Sequence, residues 1–269
     1  MLNINLYNEN CLDSMFFMED NSINVVMTSP PYNTSKSRGT WSKDQKTHYD
    51  VKSVDAMSDE EYIDFSLKLF KGFENILVPN GVVLYNISYS TEKPDLIYKV
   101  INEIIQNTEF TIADTISWKK SSALPNNMSV NRLTRICEFV FVFCRKSELK
   151  TFYMNKTVLS VRPNGIKQYN VYYNFVEAKN NDGSNKLNKA TYSSELCEKL
   201  LSMYAPVGGT VYDPFMGTGT TAVACARMNL SCYGSELSSD QVKFTLERLE
   251  NEFGTIDGVY CELNEEAVV

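Results

Sequence analysis

The 269-residue sequence predicts an α/β protein: a seven-stranded, mostly parallel sheet with an antiparallel edge hairpin and helices on both faces. Short apolar runs alternate with helix-length amphipathic segments, the pattern of strands buried on both faces and joined by crossover helices. Near the C-terminal third, "TVYDPFMGTGTTAVACARM" runs from a strand through a glycine turn directly into a helix. Two further apolar runs, 111–118 and 138–144, have no helix-length periodic segment between them and read as the antiparallel edge pair.

Strands are expected at 4–7, 23–28, 82–87, 111–118, 138–144, 210–212 and 231–234, each rich in aliphatic, β-branched or aromatic residues. Ser58-Asp59-Glu60-Glu61 has the capping-box pattern and opens a helix to about Leu77, with Ile63, Leu67, Phe70 and Phe73 as its buried stripe. Pro94 suits the first turn of a second helix, through Gln106. Ser193 or Ser194 starts a third, and 219–228 and 239–253 supply two more. From 147 to 187 the alternation breaks down: bases are interleaved with Tyr169, Tyr172, Tyr173 and Phe175, then an Asn/Gly/Lys-rich loop follows. This segment reads as an insertion dividing one domain into halves 1–146 and 188–269.

Composition narrows the function classes. The formal charge is -7, yet 117–189 carries 13 Lys+Arg against 4 Asp+Glu, while 236–269 carries 9 acids against 2 bases. Such asymmetry suits a polyanion-binding face, and an unevenly charged solvated surface is the other reading. Seven scattered cysteines without a C-x-x-C pair, and a single histidine, His48, give no readable disulfide framework or zinc site. "MLNINLYNEN" is not a leader pattern, and the longest apolar run, 139–144, is far too short to span a bilayer, so a soluble cytoplasmic protein is expected.

Two motifs carry chemistry. In "GGTVYDPFMGTGTTAVACARMNLSCYGSEL" a strand ends at Asp213, and Gly217 and Gly219 let the backbone pass close to a ligand. The lysine-bearing P-loop pattern is missing and the spacing is not G-x-G-x-x-G, which disfavours nucleoside phosphates and dinucleotides. An acid inside the turn suits an ammonium group, and Glu236, ending the next strand, is placed to accept from two ribose hydroxyls; together these describe S-adenosylmethionine. The second motif, "VVMTSPPYNTS", ends a buried strand on two prolines that can accept but not donate hydrogen bonds.

Together "TSPPY" at 28–32 and "DPFMGTGTT" at 213–221 resemble the amino-directed DNA methyltransferases, in the permuted (β) group whose catalytic motif precedes its cofactor motif. The resemblance covers nearly the whole chain: "NENCLDSM" is similar to the family's adenine-contacting segment, "ISWKK" with Pro125 and "RICEFVFVFCRK" to its edge hairpin, and "KATYSSEL" to the helix entering the cofactor motif. It implies a catalytic group of Ser29, Pro30, Pro31 and Tyr32. It implies a pocket for S-adenosylmethionine formed by Asn10, Cys11, Thr28, Thr191, Asp213, Pro214, Phe215, Gly217, Gly219, Thr220, Thr221, Glu236 and Leu237. Contacts to double-stranded DNA would come from Lys36, Arg38, Lys119, Lys120, Arg132, Arg135, Arg162 and Lys167, with 147–187 as the target-recognition insertion. No metal and no membrane is implied; a homodimer and a partner methylase or endonuclease are left open.

An exocyclic base amine is a poor nucleophile because its lone pair is delocalised into the ring. On this resemblance the Ser29 hydroxyl and Pro30 carbonyl accept its two hydrogens, Tyr32 stacks on a base turned out of the duplex, and the methyl moves in line without a covalent intermediate or strong base. Methylation at cytosine carbon 5 would need a Pro-Cys pair, and none of the eight prolines precedes a cysteine. Serine at 29 and the "ATYS" segment lean to cytosine N4 over adenine N6; a non-catalytic methylase-like DNA-binding subunit is the alternative of another class. Four positions depart from the pattern: Asn10 for aspartate, Asn188 and Lys189 for His-Pro, and Thr218 for serine in the glycine turn.

Overall fold

A computed structural model describes residues 2–33, 57–122, 130–183, 187 and 191–263. Eleven strands are present among them: β1 (Ile4–Tyr7), β2 (Ile23–Thr28), β3 (Leu77–Ile87), β4 (Phe110–Lys120), β5 (Cys137–Arg145), β6 (Val158–Val161), β7 (Lys167–Tyr169), β8 (Phe175–Ala178), β9 (Thr210–Asp213), β10 (Ser231–Ser235) and β11 (Val259–Glu262). Nine form one sheet in the order β11-β1-β10-β9-β2-β3-β5-β4-β8, and β6 pairs antiparallel with β7 in a separate ribbon. In the large sheet only β5 runs against its neighbours, β3 and β4.

Six α-helices are present among the described residues: α1 (Cys11–Phe17), α2 (Asp59–Ile76), α3 (Leu96–Asn107), α4 (Ser194–Tyr204), α5 (Thr220–Arg227) and α6 (Ser239–Phe253). Alternate residues of the central strands feed two cores, as the pleat requires. Val82, Leu84, Val140 and Val142 pack with Leu196, Leu200, Val223 and Leu249 of α4, α5 and α6. Val83, Tyr85, Phe141 and Phe143 pack with Phe70, Phe73, Ile97 and Ile104 of α2 and α3. Phe70 centres the second core, meeting Phe73, Tyr85, Phe110 and Phe143 edge-on at 4.9 to 5.5 Å.

The sheet therefore has nine strands where seven were expected, and the hairpin β4–β5 is not its edge. Four residues of the basic insertion form β8, which pairs parallel to β4 from Ser117↔Phe175 to Lys120↔Ala178. At the other end β11 adds to β1. Strand β3 starts earlier than expected: Leu77 pairs with Ile23, then Pro79-Asn80-Gly81 bulge outward, Asn80 at φ 63°, before Val82 resumes against Val25. The capping box of α2 is formed, Ser58 Oγ accepting from Glu61 N–H and Glu61 from Ser58 N–H. Its buried face is Tyr62, Ser66, Leu69, Phe70, Phe73 and Ile76, while Ile63 and Leu67 only flank it. Among the described residues no helix is long and apolar enough to cross a membrane.

Candidate active site

Strands β2 and β9 are parallel neighbours, with Val25↔Val211 and Val26↔Tyr212 in register. Continuing that register sets Asp213 level with Met27, so the Ser-Pro-Pro-Tyr loop and the glycine turn leave one sheet edge from adjacent strands, about 4.8 Å apart. Because β5 runs antiparallel to β3, with Asn86↔Val140 paired, the start of β5 reaches this same carboxyl edge and brings Glu138 to it.

On the glycine-turn side two carboxylates are buried. Asp213 is 1% exposed; its Oδ2 accepts from Thr221 Oγ1 at 2.6 Å and Tyr192 Oη at 3.0 Å, and its Oδ1 from the Phe215 N–H at 3.0 Å. Burial pushes its pKa up, and these donors oppose the shift. Thr28 also approaches this carboxylate, yet its buried hydroxyl completes no hydrogen bond of regular geometry. Glu236, 7% exposed, accepts from Gly217 N–H at 2.9 Å, Ser238 N–H at 2.8 Å and Gln241 Nε2 at 3.2 Å. Its burial pushes the carboxyl up to about 7. Among the hydrogen bonds of regular geometry, Asp213 Oδ1 and Glu236 Oε2 each accept from one backbone N–H, while Oδ2 and Oε1 each accept from two donors.

The turn between the acids is held tightly. Gly217 and Gly219 have φ of 57° and 79°, and a Cβ on Gly219 would lie 2.4 Å from Thr245 Cγ2 of α6. Pro214, Thr220 and Thr221 are buried beside it, and Phe215 is half-buried against Phe65, 6.0 Å between ring centroids. Asn10, exposed, spends its side-chain oxygen capping α1 through Leu12 N–H at 3.0 Å. Cys11 is the buried first residue of that helix, its thiol pushed up to about 12 by burial. Thr191 is half-buried, and Leu237 is 50% exposed. Two contributors were missed from sequence. Tyr192 bridges Asp213 and Thr221 Oγ1, the latter at 2.7 Å, and Asn8 Nδ2 donates to the Glu236 carbonyl at 2.8 Å. The position of Tyr192 inside "ATYS" was the available signal.

The Ser-Pro-Pro-Tyr loop is rigid for reasons its neighbours make plain. Pro31 C=O accepts from the Tyr62 hydroxyl at 2.6 Å, and Asn33, at φ 48°, donates through Nδ2 to the Met57 carbonyl at 3.0 Å. Pro30 is buried, and among the described residues nothing donates to its carbonyl. Ser29, half-buried, donates through Oγ to Tyr32 Oη at 3.3 Å. Tyr32 in turn donates to Glu138 Oε2 at 3.1 Å, with Asn86 Oδ1 at 3.4 Å as second acceptor. Burial, and then the Glu138 charge, hold the Tyr32 hydroxyl well above the usual phenol range.

The basic residues divide into two groups. Arg132 is exposed, and Arg162 and Lys167 are exposed on the β6–β7 ribbon. Lys119 pairs with Glu177 at 3.0 Å, Lys120 with Glu138, and Arg135 covers the Tyr89 ring at 4.9 Å and donates to the Tyr89 carbonyl. Lys36 and Arg38 lie outside the described residues, as do His48, Pro125, Asn188 and Lys189.

A parallel sheet that sets a glycine turn with two buried acids beside a Ser-Pro-Pro-Tyr loop defines a Rossmann-like, class I methyltransferase fold. The chain belongs to the DNA methylase family, whose N6/N4 sequence pattern matches residues 23–247. It is 23% identical to the type II methyltransferase M.HpaI of Haemophilus parainfluenzae over 258 residues, covering 93% of this chain and 75% of that protein. In fold it is similar to the PvuII DNA methyltransferase (cytosine-N4-specific), with TM-score 0.69 and 19% identity over 98% of this chain and 96% of the other. It is similar also to M1.HpyAVI, solved as its SAM complex, with TM-score 0.59 and 20% identity over 91% and 99% of the two chains.

Proposed function

We propose that this DNA amino-methyltransferase transfers the methyl group of S-adenosylmethionine to cytosine N4 of a base turned out of double-stranded DNA, as a type II modification enzyme. The observation that carries the reading is the pairing of two unlike half-sites on adjacent strands: an acceptor pair, Ser29 Oγ and the Pro30 carbonyl, beside a glycine turn that holds two buried acids. S-adenosylmethionine, when bound, supplies an electrophilic methyl group. Asp213 holds the glycine turn in shape, and Glu236 offers Oε2 to a ribose hydroxyl. Ser29 and Pro30 draw the two amine hydrogens out of the ring plane and turn the nitrogen lone pair toward the methyl. The ring of Tyr32 stands beside the base while its hydroxyl braces Ser29.

Cytosine is favoured over adenine by Ser29 and by the "ATYS" segment; the cytosine-N4 specificity of the PvuII enzyme supports the same choice. DNA recognition is assigned to 147–187, where Arg162 and Lys167 flank exposed Val161, Ile166 and Tyr169 on a two-stranded ribbon of the width a major groove admits. Lys119, Lys120 and Arg135, already paired within the chain, are given structural work instead. The test is transfer of a labelled methyl group to DNA, with RNA as competitor. Label in DNA that RNA does not compete away supports the reading, and its absence with every DNA tried leaves a non-catalytic methylase-like subunit.

A further inference from the structure

We propose that Glu138 is the anionic end of a hydrogen-bond relay, Ser29 to Tyr32 to Glu138, that strengthens Ser29 as acceptor for the substrate amine and takes up the proton released by methyl transfer. The inference rests on the functional reading above and assigns a positioning residue to it.

The relay's direction follows from its terminus. An ionised carboxylate only accepts, so Tyr32 Oη donates to Glu138 Oε2 at 3.1 Å, leaving the phenol oxygen to accept from Ser29 Oγ at 3.3 Å. With its hydrogen committed inward, Ser29 has its lone pairs free for an incoming N–H. The chain is braced at each link. Asn86 Nδ2 donates to the Phe139 carbonyl at 3.0 Å, which points Asn86 Oδ1 at Tyr32. Lys120 occupies Glu138 Oε1 and leaves Oε2 to Tyr32. The charged or titratable groups facing Glu138 are Lys120 from β4 and Tyr32 from the loop after β2; Trp118, its cross-strand partner, is uncharged.

In the step itself the amine lone pair forms the N–CH3 bond as the S–CH3 bond breaks, sulfur keeping that electron pair. The nitrogen, now cationic, gives a proton to Ser29 Oγ while the serine proton moves to Tyr32 and the tyrosine proton to Glu138. The methylated base and Glu138 both end neutral. A weak base suffices because the cationic amine is itself a strong acid, and the Glu138 side chain, 18% exposed, can return the proton to water.

The experiment is single-turnover methyl transfer at saturating DNA and cofactor across pH 5 to 9, for the native protein, Glu138→Gln, Tyr32→Phe and the double variant. Glutamine still accepts from Tyr32 but is not a base. Each single variant should lose about ten- to a hundredfold in rate, the double variant should lose no more, and DNA and cofactor affinities should stay within about twofold. A native rate in either variant overturns the relay, as does a slowed Glu138→Gln whose loss adds to that of Tyr32→Phe in the double variant. If Glu138→Gln does not fold by circular dichroism, Tyr32→Phe decides alone. A native protein that methylates no amino group overturns the functional reading, and the relay with it.

Discussion

Replacing Glu236 by glutamine should change how stability depends on pH. The carboxyl is 7% exposed and burial lifts it from 4.5 to about 7, despite donors from Gly217, Ser238 and Gln241. Between those two values the folded protein holds a proton that the unfolded chain has released, so Glu236 makes stability fall as pH rises through that window. At about 1.4 kcal/mol per pH unit, the loss attributable to this one group is about 3 kcal/mol. Urea unfolding of native protein and Glu236→Gln at pH 5, 6, 7 and 8 isolates it, since all other titrations are common to both. The difference should grow steadily in favour of the variant up to pH 7 and then level off; parallel curves would refute a buried, half-ionised Glu236. Ribose binding needs the ionised form, so native cofactor affinity should rise about tenfold from pH 6 to pH 8, and Glu236→Gln should abolish that rise.

Gly219→Ala should cost about 1–2 kcal/mol from its left-handed backbone alone, with the clash against Thr245 added, and should weaken cofactor binding, measured by urea unfolding and calorimetry. Tyr192→Phe removes a buried donor to Asp213 and should cost about 1–3 kcal/mol; a loss below a few tenths would deny that the tyrosine holds the turn. The double variant Arg162→Ala, Lys167→Ala should lower the slope of log affinity against log salt by about two, and an unchanged slope would remove the β6–β7 ribbon from the DNA interface.

What could be read from the sequence follows the strength of local signals. Strands β1 and β2 and helix α6 were expected with their observed bounds because caps and alternation mark them unambiguously. Helix α1 was not: it has only seven residues, and its Asn10 cap sat within a segment attributed to the cofactor. Strand β8 was hidden because only Val176 and Ala178 turn inward, while Phe175 and Glu177 face solvent, so four residues carry no distinctive run. In the α2 stripe Phe70 and Phe73 are buried as expected, but its first half was misplaced by one residue because Tyr62 and Ser66, which look polar, satisfy their hydroxyls on the Pro31 and Tyr62 carbonyls and can be buried. Within the site, acids and glycines next to the motifs were legible. Glu138 was not, since only the antiparallel return of β5 carries it to Ser29 from 109 residues away.

The most direct test is mass analysis of nucleosides from DNA incubated with the protein and cofactor carrying a labelled methyl group. Label is expected on an exocyclic amino nitrogen, as N4-methylcytosine, with its near-complete loss in Ser29→Ala at unchanged cofactor affinity. Label at cytosine carbon 5, or transfer that Ser29→Ala leaves untouched, would contradict it.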